Sequence, residues 1–280
     1  MTVSASDRVT VSASDPVTAS ASDPLTAPPA NLVEIFWSVQ GEGPHVGRST
    51  VFVRFGECDL RCRWCDSPRT WRPARSCRIE QPGGADERVV QNPVGQATIA
   101  EAIRALAPAP GSFVSLTGGE PLLQPEACAG VAASAHVLGL RVYLETHGLA
   151  VEALERVIER VDVVSMDWKL RSDVAPAEAS ADSDFAPRHR RFLAVATRAP
   201  EHYVKVVISD ATRDEELDEV TRAIAEIAPA TPLVLQPVTP FGPVKTRPAA
   251  ARLLALHRRA EAVLADVRLI PQTHPIYGAR

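Results

Sequence analysis

The sequence predicts an α/β fold whose mostly parallel strands form an open doubly wound sheet or a full or partial β/α barrel. Two observations support this prediction: short apolar runs of β-forming residues recur along the chain, and helical patterns separate most of them. Strands that alternate with single helices form right-handed βαβ units and therefore a parallel sheet. The 280 residues, 45% of them apolar, are enough for one large hydrophobic core or two small ones. In each of these architectures the chemistry lies at the carboxyl ends of the strands.

The individual elements are predicted from apolar runs, helical periodicity and capping residues. The predicted strands are Leu32–Val39, Val51–Phe55, Phe113–Thr117, Arg141–Thr146, Val161–Asp167, Tyr203–Ser209, Leu233–Thr239 and Arg268–Gln272. The predicted helices are Thr98–Leu106, Glu126–Leu138, Val151–Arg160, Asp214–Ile227 and Ala250–Ala265. Asp214, Glu215 and Glu216 place carboxylates in the first turn of one helix, and Gly139 follows the end of another. Both features match the helix dipole and the preference for glycine at helix ends.

Three polar segments interrupt this alternation. Residues 1–30 repeat with a period of eight, because SASDRVTV, SASDPVTA and SASDPLTA begin at Ser4, Ser12 and Ser20. The repeat has too few apolar residues to offset the entropy lost on ordering, so we predict a disordered tail followed by one folded domain over residues 31–280. Arg78–Gln96 and Ser172–Arg190 are rich in polar and turn-forming residues and are predicted to be exposed loops.

The composition argues against several classes of protein. The 30 Lys and Arg residues and 34 Asp and Glu residues give a formal charge of −4, which argues against a polycation that binds nucleic acid by counterion release. No apolar run approaches the roughly 18–20 residues of a membrane span, and the N-terminus lacks the regions of a secretory signal. Five cysteines are too few for a disulfide scaffold. We therefore expect a cytoplasmic protein that contacts neither a membrane nor nucleic acid directly.

The strongest chemical signal follows the second predicted strand, where Cys58, Cys62 and Cys65 form a C-x3-C-x2-C motif. Three thiolates in one short loop can hold a 4Fe–4S cluster in which one iron has no protein ligand. Structural zinc is the alternative, with Cys77 or a distant His as the fourth ligand. Attachment of a c-type haem is excluded, because Asp66 and not His follows Cys65.

The three-cysteine motif resembles that of the radical S-adenosylmethionine (radical SAM) enzymes. Thr117–Pro121, with the sequence TGGEP, resembles the GGE motif of the same superfamily and also follows a predicted strand. The resemblance implies a partial β/α barrel of mostly parallel strands and a cofactor that chelates the open iron of the cluster. It also implies an electron donor such as flavodoxin or ferredoxin, since reductive cleavage of the cofactor gives a 5′-deoxyadenosyl radical that abstracts hydrogen.

Further segments narrow the resemblance to the 7-carboxy-7-deazaguanine synthase family. They are EIFWSVQGEG over Glu34–Gly43, VFVRF over Val51–Phe55 and the C-D-S ending of the cysteine motif. The resemblance covers about Asn31 to Arg280 and implies a homodimer. The implied reaction converts the small molecule 6-carboxy-5,6,7,8-tetrahydropterin to 7-carboxy-7-deazaguanine with loss of ammonia, on the route to queuosine and other 7-deazapurines.

The resemblance also implies the site residues. It places the cluster on Cys58, Cys62 and Cys65, and a magnesium ion on Ser67, where the family usually has Thr. The cofactor-binding residues that it implies are Trp64, Cys65, Asp66, Gly119, Glu120, Ser165, Lys169, Gln236, Pro237, Val238 and Thr239. The substrate-binding residues that it implies are Val39, Gln40, Gly41, Glu42, Arg54, Thr117, Glu145, His274 and Arg280.

These residue types suit the implied ligands. Gln40 offers both a donor and an acceptor to a pterin ring, and Glu42 can accept from ring N–H groups. The planar guanidinium of Arg54 can bind a carboxylate through two hydrogen bonds. The chain departs from the family's usual Ser-Pro-Lys motif, because three residues separate Ser165 from Lys169.

Two other functions stay open on the sequence. One is a different radical SAM enzyme, such as an activase that generates a glycyl radical on a partner protein. The chain lacks the additional ferredoxin-like cysteine set expected of such an activase. The other is a zinc-stabilised binding module without catalysis, which a colourless protein containing zinc would support and a brown protein containing iron would exclude.

Overall fold

The computed structural model describes residues 24–84 and 86–279. Most of the predicted repeat tail and the predicted substrate contact of Arg280 lie outside the described residues. The described end of that tail belongs to the folded body: Pro24–Thr26 forms a 3-10 helix. Ala30 is fully buried, and its backbone exchanges hydrogen bonds of 2.9 and 2.7 Å with Val94. The chain therefore joins the fold before Asn31, the predicted start of the domain.

In the described part of the chain, ten strands form one sheet and two further strands form a small second sheet. In chain order the strands are β1 (Leu32–Val39), β2 (Ser49–Phe55), β3 (Leu60–Cys62), β4 (Ser76–Glu80), β5 (Glu87–Gln91), β6 (Phe113–Gly118), β7 (Arg141–Thr146), β8 (Val163–Asp167), β9 (Val174–Pro176), β10 (Glu201–Ile208), β11 (Leu233–Pro237) and β12 (Val267–Leu269). The large sheet has the order β12-β11-β10-β8-β7-β6-β2-β1-β4-β5, and the small sheet pairs β3 with β9.

The large sheet is mostly parallel. Every neighbouring pair from β2 through β6, β7, β8, β10 and β11 to β12 is parallel. At the other end, β1 is antiparallel to β2, β4 is parallel to β1, and β5 is antiparallel to β4. The predicted α/β fold with mostly parallel strands is confirmed.

The described residues form seven α-helices, of which six lie between strands and the seventh follows the last strand. They are α1 (Gln96–Leu106), α2 (Pro125–Val137), α3 (Val151–Val157), α4 (Ala186–Ala196), α5 (Asp214–Ile227), α6 (Ala250–Glu261) and α7 (His274–Tyr277). In α5, the buried residues Leu217, Val220 and Ile224 recur at helical spacing and join the main core, while the opposite face is charged. No helix among the described residues is long and apolar enough to cross a membrane.

The two predicted loops are wrong. Residues 78–96 contain the end of β4 and all of β5, which pair with each other, and Ile79 of β4 is in the core. Residues 172–190 contain β9 and the start of α4, where Phe185 and His189 are fully buried. The sequence pattern did not indicate these strands, because β9 has only three residues and β5 is mostly exposed, so neither forms an apolar run.

A separate group of buried side chains closes the amino-terminal ends of the parallel strands. Its members are Phe113, Tyr143, Val163, Tyr203 and Val234. The hydroxyls of Tyr143 and Tyr203 hydrogen-bond to each other within this group. Because this end is filled, space for a ligand remains at the carboxyl ends of the strands.

Candidate functional site

A cavity of about 660 Å³ lies at the carboxyl ends of the parallel strands. The predicted site residues that line it are Gln40, Glu42, Arg54, Cys58, Cys62, Trp64, Cys65, Asp66, Ser67, Thr117, Gly119, Glu145, Lys169, Gln236, Val238, Thr239 and His274. Five other predicted residues are not in its lining: Val39, Gly41, Glu120, Ser165 and Pro237. The structure therefore brings the cysteine motif and most predicted ligand contacts around one space.

The cysteine loop forms one wall of this cavity. Pairing of β3 with β9 sets Cys62 opposite Val174, and Cys58 and Cys62 pack beside a small apolar cluster. Burial raises the pKa of the Cys58 thiol to about 12 and that of Cys62 to about 11. A bound metal would offset this effect, because it favours the thiolate.

The donor set fits a multi-iron cluster, in which each thiolate binds a different iron. No three Cys, His, Asp or Glu side chains in the described part of the chain are grouped to hold a single metal ion. Cys77 and Cys128 are buried and do not line the cavity.

Two uncharged cavity residues carry buried polar atoms without a hydrogen-bond partner among the described residues. They are Nε1 of Trp64 and Oε1 of Gln236. Buried polar atoms are nearly always hydrogen-bonded, so these two indicate places where a ligand completes the site. Both residues are among the predicted cofactor contacts, and the Lys169 ammonium lies 4.8 Å from the centre of the Trp64 ring. The residues present therefore fit a polar cofactor beside the cysteine loop.

The turn after β6 requires glycine at two positions. Gly118 has a positive φ of 120°, and a Cβ on Gly119 would lie 1.8 Å from the carbonyl oxygen of Glu57. The following Glu120 is fully buried, and its carboxylate accepts hydrogen bonds from Leu122 N at 3.0 Å and Thr146 Oγ1 at 2.8 Å. The Glu120 side chain therefore fixes this turn and does not reach the cavity.

His147 links this turn to the cysteine loop and was not predicted. Its backbone N–H donates to the Glu120 carboxylate at 2.8 Å, and its Nδ1 accepts from Leu149 N at 3.1 Å. Nε2 therefore carries the ring proton and donates to Asp59 Oδ1 at 2.9 Å. Since Asp59 follows Cys58, this bond fastens the cysteine loop to the end of β7.

The end of β8 explains the spacing between Ser165 and Lys169. Met166 and Trp168 are buried in the main core, whereas Asp167 and Lys169 line the cavity. The Lys169 backbone N–H donates to His189 Nε2 at 3.0 Å. Burial lowers the pKa of His189 to about 3, so the ring is neutral and its Nδ1 donates to the Gly148 carbonyl. Successive side chains of an extended chain point to opposite faces, so residues that line the cavity alternate here with residues of the core.

Asp167 joins two buried lysines. Its Oδ2 lies 2.6 Å from Lys169 Nζ, its Oδ1 lies 3.0 Å from Lys205 Nζ, and Lys205 also pairs with Glu42. Burial disfavours the Asp167 carboxylate, but the two ammonium groups outweigh this effect and hold its pKa below the usual value. The nearby carboxylates in turn raise the pKa values of Lys169 and Lys205, so Asp167 and both lysines are charged. Asp167 and Lys205 were not among the predicted site residues.

Strand register builds a row of polar residues across four neighbouring strands. Glu34 on β1 stands opposite Arg54 on β2 and opposite Arg78 on β4, while Arg54 stands opposite Thr117 on β6. Glu34 is 1% exposed and accepts from Arg54 Nε at 2.8 Å, from Arg78 at 2.7 Å and from Arg69. Glu34, Arg69 and Arg78 were missed by the sequence reasoning.

Glu145 and Gln40 continue the polar lining. The Glu145 carboxylate accepts from Gln40 Nε2 at 3.0 Å, Ser115 Oγ at 2.7 Å and Thr117 Oγ1 at 3.0 Å. Gln40 Oε1 accepts from the backbone N–H of Glu42 at 3.0 Å. These bonds orient one carboxylate and one amide group at the cavity wall.

The C-terminal segment docks on the residues after β1. His274 Nε2 lies 2.8 Å from the Val39 carbonyl, and Thr273 N donates to the Gly41 carbonyl at 2.8 Å. A Cβ on Gly41 would lie 2.5 Å from the His274 ring, so glycine permits this contact. The Val39 and Gly41 carbonyls therefore hold the segment that carries His274.

Comparisons with known proteins identify the family. The sequence profile of the radical SAM superfamily matches residues 53–227. The chain is 40% identical over 259 residues to the 7-carboxy-7-deazaguanine synthase of Geobacter sulfurreducens, which covers 90% of this chain and 98% of that protein. The chain belongs to the 7-carboxy-7-deazaguanine synthase family of radical SAM enzymes. The synthase of Methanopyrus kandleri is 34% identical over 252 residues, covering 89% of this chain and 94% of that protein.

Solved structures agree with the fold of a radical SAM synthase. The crystal structure of QueE from Escherichia coli matches with a TM-score of 0.55 at 19% identity, covering 88% of this chain and 94% of that chain. A radical SAM methyltransferase from Sphaerobacter thermophilus matches with a TM-score of 0.55 at 17% identity, covering 80% and 66%. The predicted family is confirmed, and the alternatives of an activase or a zinc module are not favoured.

The family defines the cofactors. Radical SAM enzymes use a 4Fe–4S cluster and S-adenosylmethionine, and the synthases of this family also use Mg²⁺. Such an enzyme acts on a small molecule and needs a reductant.

Proposed function

We propose that this synthase acts as a carbon–nitrogen lyase that converts 6-carboxy-5,6,7,8-tetrahydropterin to 7-carboxy-7-deazaguanine with release of ammonia. One observation carries the proposal: a single cavity has the cysteine loop on one wall and the polar row of Arg54, Thr117 and Glu145 on another. The synthases that resemble the chain over almost their whole length support the same reaction.

Glu145, Gln40 and Thr117 bind the pterin ring in this proposal. An ionised carboxylate has about four acceptor sites, and three donors already contact Glu145. It therefore keeps capacity for a ring N–H group, while Gln40 holds it in a fixed orientation. The buried ion pair of Lys205 with Glu42 adds a second fixed acceptor at this wall.

Arg54 and Ser67 bind the carboxylate end of the substrate. Arg54 donates from Nε to the Glu34 carboxylate, so its two terminal nitrogens remain available to donate to a ligand carboxylate in one plane. Ser67 donates its hydroxyl proton to Asp66 Oδ1 at 3.0 Å and therefore keeps oxygen lone pairs for Mg²⁺. Gln272 Nε2 donates to the other Asp66 oxygen at 3.2 Å, which holds Asp66 in place.

Cys58, Cys62 and Cys65 would hold the cluster, and Trp64, Gly119, Lys169 and Gln236 would surround the cofactor. When bound, the cofactor supplies the 5′-deoxyadenosyl radical that removes hydrogen from the substrate. The ion pair of Lys169 with Asp167 fixes one cation at the boundary between the cofactor and substrate walls. Gly119 lets the backbone approach closely there, since any side chain would meet Glu57.

We further propose a cytoplasmic homodimer that receives electrons from flavodoxin or ferredoxin and contacts neither nucleic acid nor a membrane. The formal charge of −4 supports the absence of nucleic-acid binding, and the resemblance to the family supports the other assignments. In this proposal the radical SAM domain comprises residues 31–280 together with the short segment before Asn31 that packs on it, and the rest of the repeat has no part in the reaction.

The direct test of the activity is conversion by the anaerobically reconstituted protein. The protein is incubated with the carboxylated tetrahydropterin, S-adenosylmethionine, Mg²⁺ and a reductant, and products are measured by mass spectrometry. We expect 7-carboxy-7-deazaguanine and ammonia in equal amounts. A protein that holds the cluster and cleaves the cofactor without forming this product would contradict the proposed substrate.

A further inference from the structure

Three guanidinium groups meet one buried carboxylate at the edge of the cavity. Glu34 Oε1 contacts Arg54 Nε at 2.8 Å and also Arg69, and Glu34 Oε2 contacts Arg78 Nη2 at 2.7 Å. All four side chains line the cavity. The arrangement follows from register, since β2 and β4 flank β1 and bring Arg54 and Arg78 to the two sides of Glu34.

This group is locally positive, unlike the other charged group of the cavity. Lys169 and Lys205 are matched by Asp167 and Glu42. The three guanidinium groups around Glu34 face two carboxylates, that of Glu34 and that of Glu87. Glu87 Oε2 lies 3.9 Å from Arg78 Nη1. These five side chains together carry one positive charge.

The guanidinium groups have donors that no described residue uses. Arginine carries five N–H donors, and the Arg69 and Arg78 side chains are 50% and 39% exposed although their partner Glu34 is buried. Glu34 therefore holds the three forks together without satisfying all of their donors. Such a group matches the geometry of a carboxylate ligand.

Arg69 is also close in the chain to the predicted magnesium ligand. Residues 68–71 form a 3-10 helix, and Thr70 fastens its start by donating its N–H and its hydroxyl to the Ser67 carbonyl at 2.9 and 2.7 Å. Ser67 and Arg69 thus belong to one rigid turn at the cavity wall. A single carboxylate can be held by the ion on Ser67 and by the guanidinium of Arg69.

We propose that Arg69 and Arg78 act with Arg54 as an anion subsite that binds the carboxylate of the substrate and excludes pterins with a neutral group at that carbon. The proposal rests on the proposed function, because it takes the carboxylated tetrahydropterin as the ligand. It adds two specificity-determining residues that the resemblance to the family did not assign.

The test compares Arg69→Gln, Arg69→Lys and Arg78→Gln with the parent protein and with Arg72→Gln. Arg72 is the matched control, since it follows the same 3-10 helix but is exposed and does not line the cavity. For each reconstituted full-length protein, Kd is measured for 6-carboxy- and for 6-methyl-5,6,7,8-tetrahydropterin, together with KM, kcat and iron content.

We expect Kd and KM for the carboxylated pterin to rise about 10–100-fold in both Gln variants, as for loss of a charge-assisted hydrogen bond. Kd for the methyl pterin should stay at the parent value, so the preference for the carboxylate falls by the same factor. Arg69→Lys should be intermediate because it keeps the charge and loses the planar fork, and Arg72→Gln should match the parent.

An unchanged preference for the carboxylate in both Gln variants would overturn the proposal. Weaker binding of both pterins by the same factor would overturn it as well, because it would show a general distortion of the cavity. If Arg69→Gln loses iron, Arg78→Gln decides the question, since Arg78 is on β4 and distant in sequence from the cysteine loop. If the parent binds the carboxylated pterin selectively and both Gln variants lose this preference, the subsite is supported. If the same parent protein forms no product, the proposed function is contradicted.

Discussion

Asp167 neutralises two buried ammonium groups, so Asp167→Asn tests how the cavity holds its charges. The Lys169 and Lys205 side chains are only 9% and 6% exposed. The amide keeps the size of the carboxylate and removes its charge. Among the described residues, Lys205 then retains Glu42, whereas Lys169 retains only the face of the Trp64 ring.

The expected loss of stability follows from this environment. Removing one partner of a buried ion pair destabilises a protein by about 3–5 kcal/mol. The lower end applies here because Lys205 keeps a second carboxylate, so about 3 kcal/mol should be lost. For a domain of this size that corresponds to a fall in Tm of roughly 6–12 °C.

The assay is thermal unfolding of anaerobically prepared protein at matched iron content, followed by circular dichroism. Asp266→Asn is the matched control, since Asp266 makes an exposed two-bond pair with Arg268 at 2.8 and 2.7 Å. Exposed pairs contribute about 0–1 kcal/mol, so Tm should fall by less than about 4 °C. Equal shifts in the two variants would refute the reasoning that burial makes the Asp167 network important for stability.

Three further predictions concern the cluster, magnesium and pH. Cys58→Ala should abolish bound iron, whereas Cys77→Ala should not, because Cys77 is buried away from the cavity; retained iron in the first variant would contradict the ligand set. Ser67→Ala should weaken the magnesium dependence of product formation and Ser67→Thr should not, and superimposable magnesium titrations would exclude this role. Burial lowers the pKa of His189 from 6.5 to about 3 in the folded protein. Between these values the imidazole of His189 binds a proton in the unfolded chain but not in the folded protein. The contribution of His189 to stability should therefore fall by about 1.4 kcal/mol per pH unit as pH drops from 6.5 towards 4, and His189→Gln should reduce the slope in denaturant titrations by that amount.

Local sequence signals predicted much of the fold. The bounds of β1, β7 and α5 agree with the predicted segments, because apolar runs, helical periodicity and acidic first turns act within a short stretch of chain. The missed elements β3, β4, β5, β9 and α4 are short or polar and depend on tertiary pairing. In α4, burial of Phe192 and Leu193 stabilises a helix that also contains several arginines.

The candidate site was predictable where its residues are close in sequence. Cys58, Cys62 and Cys65 share one loop, so their spacing indicated a metal centre, and the resemblance to the radical SAM enzymes favoured a cluster over zinc. Glu34, Arg78, Asp167 and Lys205 could not be grouped in this way, because strand register brings them to their partners. Lys205 stands opposite Asp167 only through the pairing of β10 with β8, as Glu34 stands opposite Arg78 through β1 and β4. A charged residue in a mostly apolar strand is the signal that would have indicated Glu34, Asp167 and Lys205, whereas Arg78 lies in a polar strand and gave no such signal.

The central claim is that one cavity places the cluster and cofactor on one wall and the pterin on the other. An anaerobic crystal structure with cluster, S-adenosylmethionine, Mg²⁺ and the carboxylated tetrahydropterin tests it most directly. We expect the cluster on Cys58, Cys62 and Cys65 and the pterin against Glu145, with its carboxylate facing Arg54. A cluster ligated by Cys77, or a pterin bound outside the cavity, would contradict the account.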